Sequence, residues 1–225
     1  MSRKPIFDAI RIGRGKGFTS DEVSQIDAFL TGIGVPMSGA SFANEEAFWV
    51  GVRKVTGSLD QQQVDIIQRL LSATSDWGNG WLAYAMATAW HESRFRPIEE
   101  WGKGKGKEYG KVNSTGKAPY GRGLVQLTWD ANYKKADKEL GLGGKLAANY
   151  DLALDPDIAV RIMVRGMEEG WFTGKSLGDY MTKEARGLEP QFVPGRRIIN
   201  GTDKAQMIAD YAVKFQDALV AGGRA

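Results

Sequence analysis

The chain has no cysteine and a single histidine. The first absence removes disulfides, thiolate nucleophiles and every Cys-based metal site, and the second removes a His-rich zinc site. No metal and no cofactor is therefore expected. No stretch approaches the roughly 18 apolar residues of a membrane-spanning helix, so stable membrane insertion is not expected either. The first residues, MSRKPIFDAIRIGRGKG, are basic but lack the apolar run of a secretory signal. Charge of one sign is also scarce: the net value is +3, with a pI near 9.0. That balance favours an anionic partner, a description that nucleic acid, an acidic cell wall and a membrane surface all meet.

What is present suits one domain, or one domain with a small attachment. The 225 residues are 42% hydrophobic and 25% charged, an ordinary globular balance. Seven Trp, seven Tyr and nine Phe supply a core and leave room for an aromatic-lined groove. The N-terminal third contains a cryptic repeat, in which FDAIRIGRGKGFTSDEVSQIDAFL (7–30) matches FWVGVRKVTGSLDQQQVDIIQRLL (48–71). Phe7 falls on Phe48, Val23 on Val64, Ile26 on Ile67 and Leu30 on Leu71. The shared i, i+3, i+7 tail predicts an amphipathic helix in each copy. Thr19 and Asp60 are predicted N-caps, with Glu22 and Gln63 as capping-box partners. The Gly/Ser-rich stretch 31–44 divides a small helical unit, 1–43, from a main domain, 44–225. The first unit either completes a pair of helical hairpins or serves docking and wall binding.

Further along, WLAYAMATAWHES (81–93) predicts a buried helix that Pro97 ends. GKGKGKEYGKVNSTGKAP (102–119) is too polar to pack as core and predicts a mobile basic loop or a short hairpin. Helices are predicted from about Asp130 to Leu140 and over 155–172, the latter with Pro156 at its first position behind Asp155. VPGRRIINGT (193–202) predicts a basic, turn-rich loop, and Asp203 a cap for a final helix over 204–221. The fold class is therefore mainly α, with a small sheet in the middle.

The carboxylates are the chemically suggestive residues. Glu92 follows an apolar run, where desolvation would raise a carboxyl pKa and suit it to donate a proton. Its bland alternative is a surface glutamate paired with Arg94 or Arg96. Glu99, Glu100 and Glu108 are candidates for a second carboxylate. His91 either satisfies a local hydrogen bond or positions backbone or substrate. In YGRGLVQLT (120–128), two glycines permit close backbone approach. Arg122 can fix a carboxylate or a loop carbonyl. Gln126 and Thr128 lie two apart in a strand-like segment, hence on one face. The segment is no phosphate loop, since the GxxxxGK[ST] spacing is absent.

Taken together, WHES, YGRGLVQLTWDANY and RRIING resemble the family 19 glycoside hydrolases, the plant-type chitinase fold, and especially the short form found in phage endolysins. The likeness covers roughly residues 45–221. It implies a lysozyme-like bilobal helical domain with a substrate cleft, and inverting hydrolysis of a glycan. By resemblance Glu92 is the general acid and Thr128 helps hold the attacking water. Gln126, Asn132 and Asn200 contact sugar, and Arg196 or Arg197 supports the carboxylates. His91, Tyr120 and Arg122 complete the substrate-binding set. The chain departs from the chitinases where their base lies, since VNSTGK carries no carboxylate. The acidic pair in IEEW favours Glu100 as second carboxylate, with Glu99 and Glu108 as alternatives.

These readings make the expected protein a monomeric endolysin of muramidase type. It would be held in a host bacterial cytoplasm until lysis releases it to the periplasm or wall. Its partner would be bacterial peptidoglycan, with an anionic outer-membrane or wall surface as a further contact. A chitinase and a non-catalytic wall-binding protein are the alternatives. Nucleic acid is not an expected partner, because no helix-turn-helix, zinc-finger or RNA-binding signature accompanies the lysines.

Overall fold

The computed structural model describes residues 42–224, together with isolated helical positions at 10, 22, 25 and 26. The first copy of the repeat, its predicted caps and the proposed 1–43 unit lie outside the described residues, apart from those positions. In the second copy, α1 (Glu45–Thr56) and α2 (Gln61–Ala73) form the expected helical pair. Asp60 and Gln63 close a capping box on α2.

Helix α3 (Asn79–Ser93) is the centre of the molecule. Ala83, Ala85, Ala87 and Ala89 are fully buried, and a helix apolar on all sides is stable only when covered on all sides. The C-terminal helix α8 (Ala205–Ala221) packs along it and also against α1 and α7 (Glu189–Gly195). A second group contains α4 (Asp130–Glu139), the short α5 (Lys145–Ala148), a 3-10 segment (Tyr150–Leu154) and α6 (Pro156–Glu169). Helix α2 touches both groups through α3 and α6. Asp155 caps α6, with Pro156 in its first turn.

The sheet is minimal. β1 (Ile98–Glu99) pairs antiparallel with β2 (Arg122–Gly123), Ile98 opposite Gly123 and Glu99 opposite Arg122. Three sequence expectations need correction, and the expected basic loop takes a definite path. Residues 122–127 are a tight hairpin, in which Arg122 and Leu127 exchange backbone hydrogen bonds of 3.2 and 2.9 Å. Gly123 and Gln126 adopt φ of +85° and +54° there, so Gln126 and Thr128 do not share the face of a strand. The basic segment is a run of tight turns around a 3-10 segment, Glu108–Gly110, closed where Gly104 meets Gly110. Asp203 does not cap α8, whose N-cap is Lys204 at φ +58°. The stretch predicted as a loop from Val193 begins inside α7 and continues as a 3-10 turn, Arg196–Ile198.

The C-terminal end locks the core. The nearly buried Arg224 guanidinium donates to the carbonyls of Trp77 (2.9 Å) and Thr74 (2.8 Å) and to Asn79 Oδ1 (2.9 Å). Asn79 returns a bond to the Arg224 carbonyl. Phe42 stacks on Phe48 at 4.4 Å, and the Asn44 amide donates to the Gly222 carbonyl, so the start and end of the described chain meet. Arg224→Ala leaves two buried carbonyls without their donor. It should lower stability by about 2–3 kcal/mol, measured by urea denaturation. An unchanged midpoint would show that water replaces the guanidinium.

Candidate active site

Helix α3 ends abruptly beside Glu92. Arg94 and Phe95 take left-handed φ of +54° and +56°. The Arg94 amide donates to Trp90 O, and the Phe95 amide to Ala89 O. Both amides thus turn back to satisfy carbonyls of the last turn, and the buried Phe95 packs against Trp90 and Phe215. Pro97 therefore follows the helix end rather than causing it. Gln63 reaches from α2 to the Arg94 carbonyl at 2.9 Å, so the helix end is held from outside as well.

Neither local arginine takes Glu92. Arg94 lies over the Trp90 ring and donates to Trp90 O, and Arg96 pairs with Asp60. The partner is Arg196, whose Nη1 donates to Glu92 Oε1 at 2.5 Å. Arg196 Nε donates to the Asp203 carbonyl at 3.0 Å. Side-chain exposures of 17% for Glu92 and 5% for Arg196 make this a largely buried pair. Gly195 permits the approach, since a Cβ there would lie 3.0 Å from the Tyr84 ring. Beside the pair, burial holds the His91 imidazole below its ordinary 6.5, with the Glu92, Arg196, Arg94 and Asp203 charges acting on it in opposing directions. His91 is thus neutral at neutral pH, and its buried Nδ1 has no hydrogen-bond partner among the described residues.

The second carboxylates fall in three environments. Glu100 Oε1 accepts from the Tyr109 hydroxyl at 2.9 Å and Oε2 from the Gly121 amide at 3.1 Å. Its own backbone amide donates to Gly121 O at 2.7 Å. Gly121 is needed here because a Cβ would crowd Gln126 Oε1 at 3.0 Å and Glu100 Cβ at 3.2 Å. Glu99 turns to the Tyr120 hydroxyl and Lys103. Glu108 is exposed and paired with Lys111.

The remaining predicted residues are dispersed. Arg122 is buried: it donates to Asp151 and to the carbonyls of Ala118 and Tyr120. Its guanidinium lies 3.7 Å above the Tyr120 ring. Its role here is to hold the loop, and Tyr120 is held with it. Gln126 Nε2 donates to the carbonyls of Ile98 and Gly123. The half-buried Thr128 and Asn132 make no side-chain hydrogen bond among the described residues. Arg197 and Asn200 are exposed, and Asn200 Oδ1 accepts from the Gly201 amide. No cluster of three or more His, Asp or Glu gathers among the described residues.

The sequence reading missed an aromatic group. Trp101 is 98% exposed and Trp129 49%, and Tyr109 meets Trp129 edge-on at 5.4 Å. Tyr109 thus links Glu100 to the residue after Thr128. The available signal was a tryptophan stranded in a Gly/Lys segment with no core to enter.

No protein-family model matches the chain, nor does any curated protein sequence. Among solved structures, chitinase C from Streptomyces griseus HUT6037 aligns at TM-score 0.52 with 21% identity, over 77% of this chain and 75% of that one. A bacterial family 19 chitinase aligns at TM-score 0.48 with 18% identity, over 76% and 93%. The first alignment shows that the chain shares the fold of that chitinase, mainly helical and lysozyme-like.

The Tyr120 hydroxyl, and after it Lys103, hold the Glu99 carboxyl below its ordinary 4.5. The stability this adds is complete above that value and is lost as pH falls through the lowered one. Denaturation midpoints of the wild type and Glu99→Gln should therefore differ at neutral pH and converge as pH falls below the ordinary glutamate value and through the lowered one. A difference constant across that range would mean that the carboxylate's charge contributes nothing.

Proposed function

We propose that the protein is a glycoside hydrolase of the wall-lysing type, cleaving β-1,4 bonds in bacterial peptidoglycan with inversion. The observation that carries this reading is the largely buried Glu92–Arg196 pair, on a chitinase-like fold that also presents Glu100 and exposed aromatic rings. Glu92 protonates the glycosidic oxygen. As its proton leaves, negative charge develops on a carboxylate that Arg196 already faces, and such preorganised stabilisation lowers the barrier. Glu100 is the base that activates water, with the Thr128 hydroxyl free to help hold that water. Both Glu100 oxygens accept one hydrogen bond each, and a carboxylate has further lone pairs for a water. Trp101 and Trp129 offer flat faces on which sugar rings stack. Residues 1–43 add wall docking, and host lysis releases the enzyme from the cytoplasm to its substrate.

Digestion of purified peptidoglycan, with products reduced and weighed by mass spectrometry, tests the reaction. The expected product is a new reducing N-acetylmuramic acid end without a 1,6-anhydro ring. Cleavage confined to chitin oligomers would make it a chitinase, and no cleavage of either would leave a wall binder. Glu92→Gln should lose about two to four orders of magnitude of activity while keeping a folded circular dichroism spectrum at the assay temperature, and its thermal melt should fall because the buried Arg196 charge loses its partner. Glu100→Gln should be nearly as damaging, and a mild effect would move the base to Glu99 or Glu108. Trp101→Ala should raise KM with little change in kcat, because stacking on a remote ring binds substrate and transition state alike.

A further inference from the structure

The loop from Arg196 to Lys204 has two sides. On one side Arg196 pairs with Glu92 and is held by the Asp203 carbonyl. The next residue after each, Arg197 and Lys204, lines a separate open cavity of about 530 Å³. Its wall is apolar where Val193, Pro194 and Met207 stand, with Thr202 on the loop side. That volume lies within the range of small-ligand sites.

The lining of this cavity carries two cations and no carboxylate. Neither the Arg197 nor the Lys204 side chain makes an ion pair or hydrogen bond among the described residues. The nearby acids are otherwise placed. Glu189 and Asp210 accept from Gln206, and Asp203 is not part of the lining. Lys204 also holds a left-handed φ of +58°, where glycine would sit without strain. A lysine there retains a cation at the cavity mouth at a cost in backbone energy.

Resting on the hydrolase reading above, we infer that this cavity is a subsite for the peptide stem of the glycan substrate. It would take a short acidic peptide with small apolar side chains. The methyl-bearing face would lie on Val193, Pro194 and Met207, and stem carboxylates would meet Arg197 and Lys204. The loop that supports the acid thereby also reads the group that separates peptidoglycan from chitin, a neutral polymer with no stem.

The test uses Lys204→Gly, which suits the backbone at that position, and Lys204→Glu. Cleavage rates are compared on intact peptidoglycan and on the same glycan strands stripped of stems by an amidase. The wild type should favour the intact substrate. Lys204→Gly should raise KM on it about two- to fivefold, the scale of one exposed charge pair, and Lys204→Glu further, with stem-free rates unchanged. An equal fall on both substrates, or no change on either, would overturn the subsite. Calorimetric titration with a soluble stem tetrapeptide separates this inference from the reaction itself. Binding by the wild type and not by Lys204→Glu, without glycan cleavage, would keep the subsite and discard the hydrolase. Cleavage with no stem preference and no tetrapeptide binding would do the reverse.

Discussion

The site depends on one ion pair between residues that the chain brings together from opposite halves. Glu92 ends a helix that cannot exist uncovered, and Arg196 enters from a turn after α7. A carboxylate and a guanidinium with little solvent contact are costly to hold unless each satisfies the other, and removing one partner strands the other's charge. Much of the fold supplies the conditions for that meeting. Helix α8 covers α3 and holds α7 against it. Gly195 gives the backbone room at the Tyr84 ring. The left-handed turn at Arg94 and Phe95 stops α3 at Ser93, one residue after Glu92. Arg196 is itself oriented by the Asp203 carbonyl, so the start of α8 helps fix the geometry of the acid.

Glu100 is held by different means. Its donors are neutral, a phenol and a backbone amide, and both come from segments rich in glycine. A main-chain amide cannot rotate away as a side chain can, so the Gly121 contact fixes the carboxylate by the register of the β1–β2 pair. Arg122 holds that register from below, through three carbonyl and carboxylate acceptors and the stacked Tyr120. The two carboxylates thus differ in kind: one faces a fixed cation, and the other faces dipoles and a half-open surface.

Much of the scaffold was legible because it rests on local rules. The burial of α3 follows from its alanines, the start of α2 from Asp60 and Gln63, and the start of α6 from Asp155 and Pro156. The misreadings share a cause. Non-glycine residues in left-handed conformations, Arg94, Phe95, Gln126 and Lys204, leave no compositional mark, and each redirects the chain. Gln126 turned an expected strand into a hairpin, and Lys204 displaced Asp203 from the cap of α8. The competition for Glu92 was equally hidden. Arg94 and Arg96 are nearer in sequence, but a ring and a capping aspartate engage them, and only the folded chain shows that.

The basic segment shows how a stretch without core residues can still build a site. Its lysines and glycines bury almost nothing, yet successive i to i+3 turns and the Gly104–Gly110 contact give it a definite path. That path carries Tyr109 to Glu100 and leaves Trp101 in solvent. A tryptophan pays a hydration penalty in such a position, and folding offers it no relief here. A glycan ring is a partner of suitable shape, with apolar C–H faces and polar edges. Low hydrophobicity in residues 102–119 leaves no core beneath this stretch, and that absence is what keeps the neighbouring Trp101 ring in solvent.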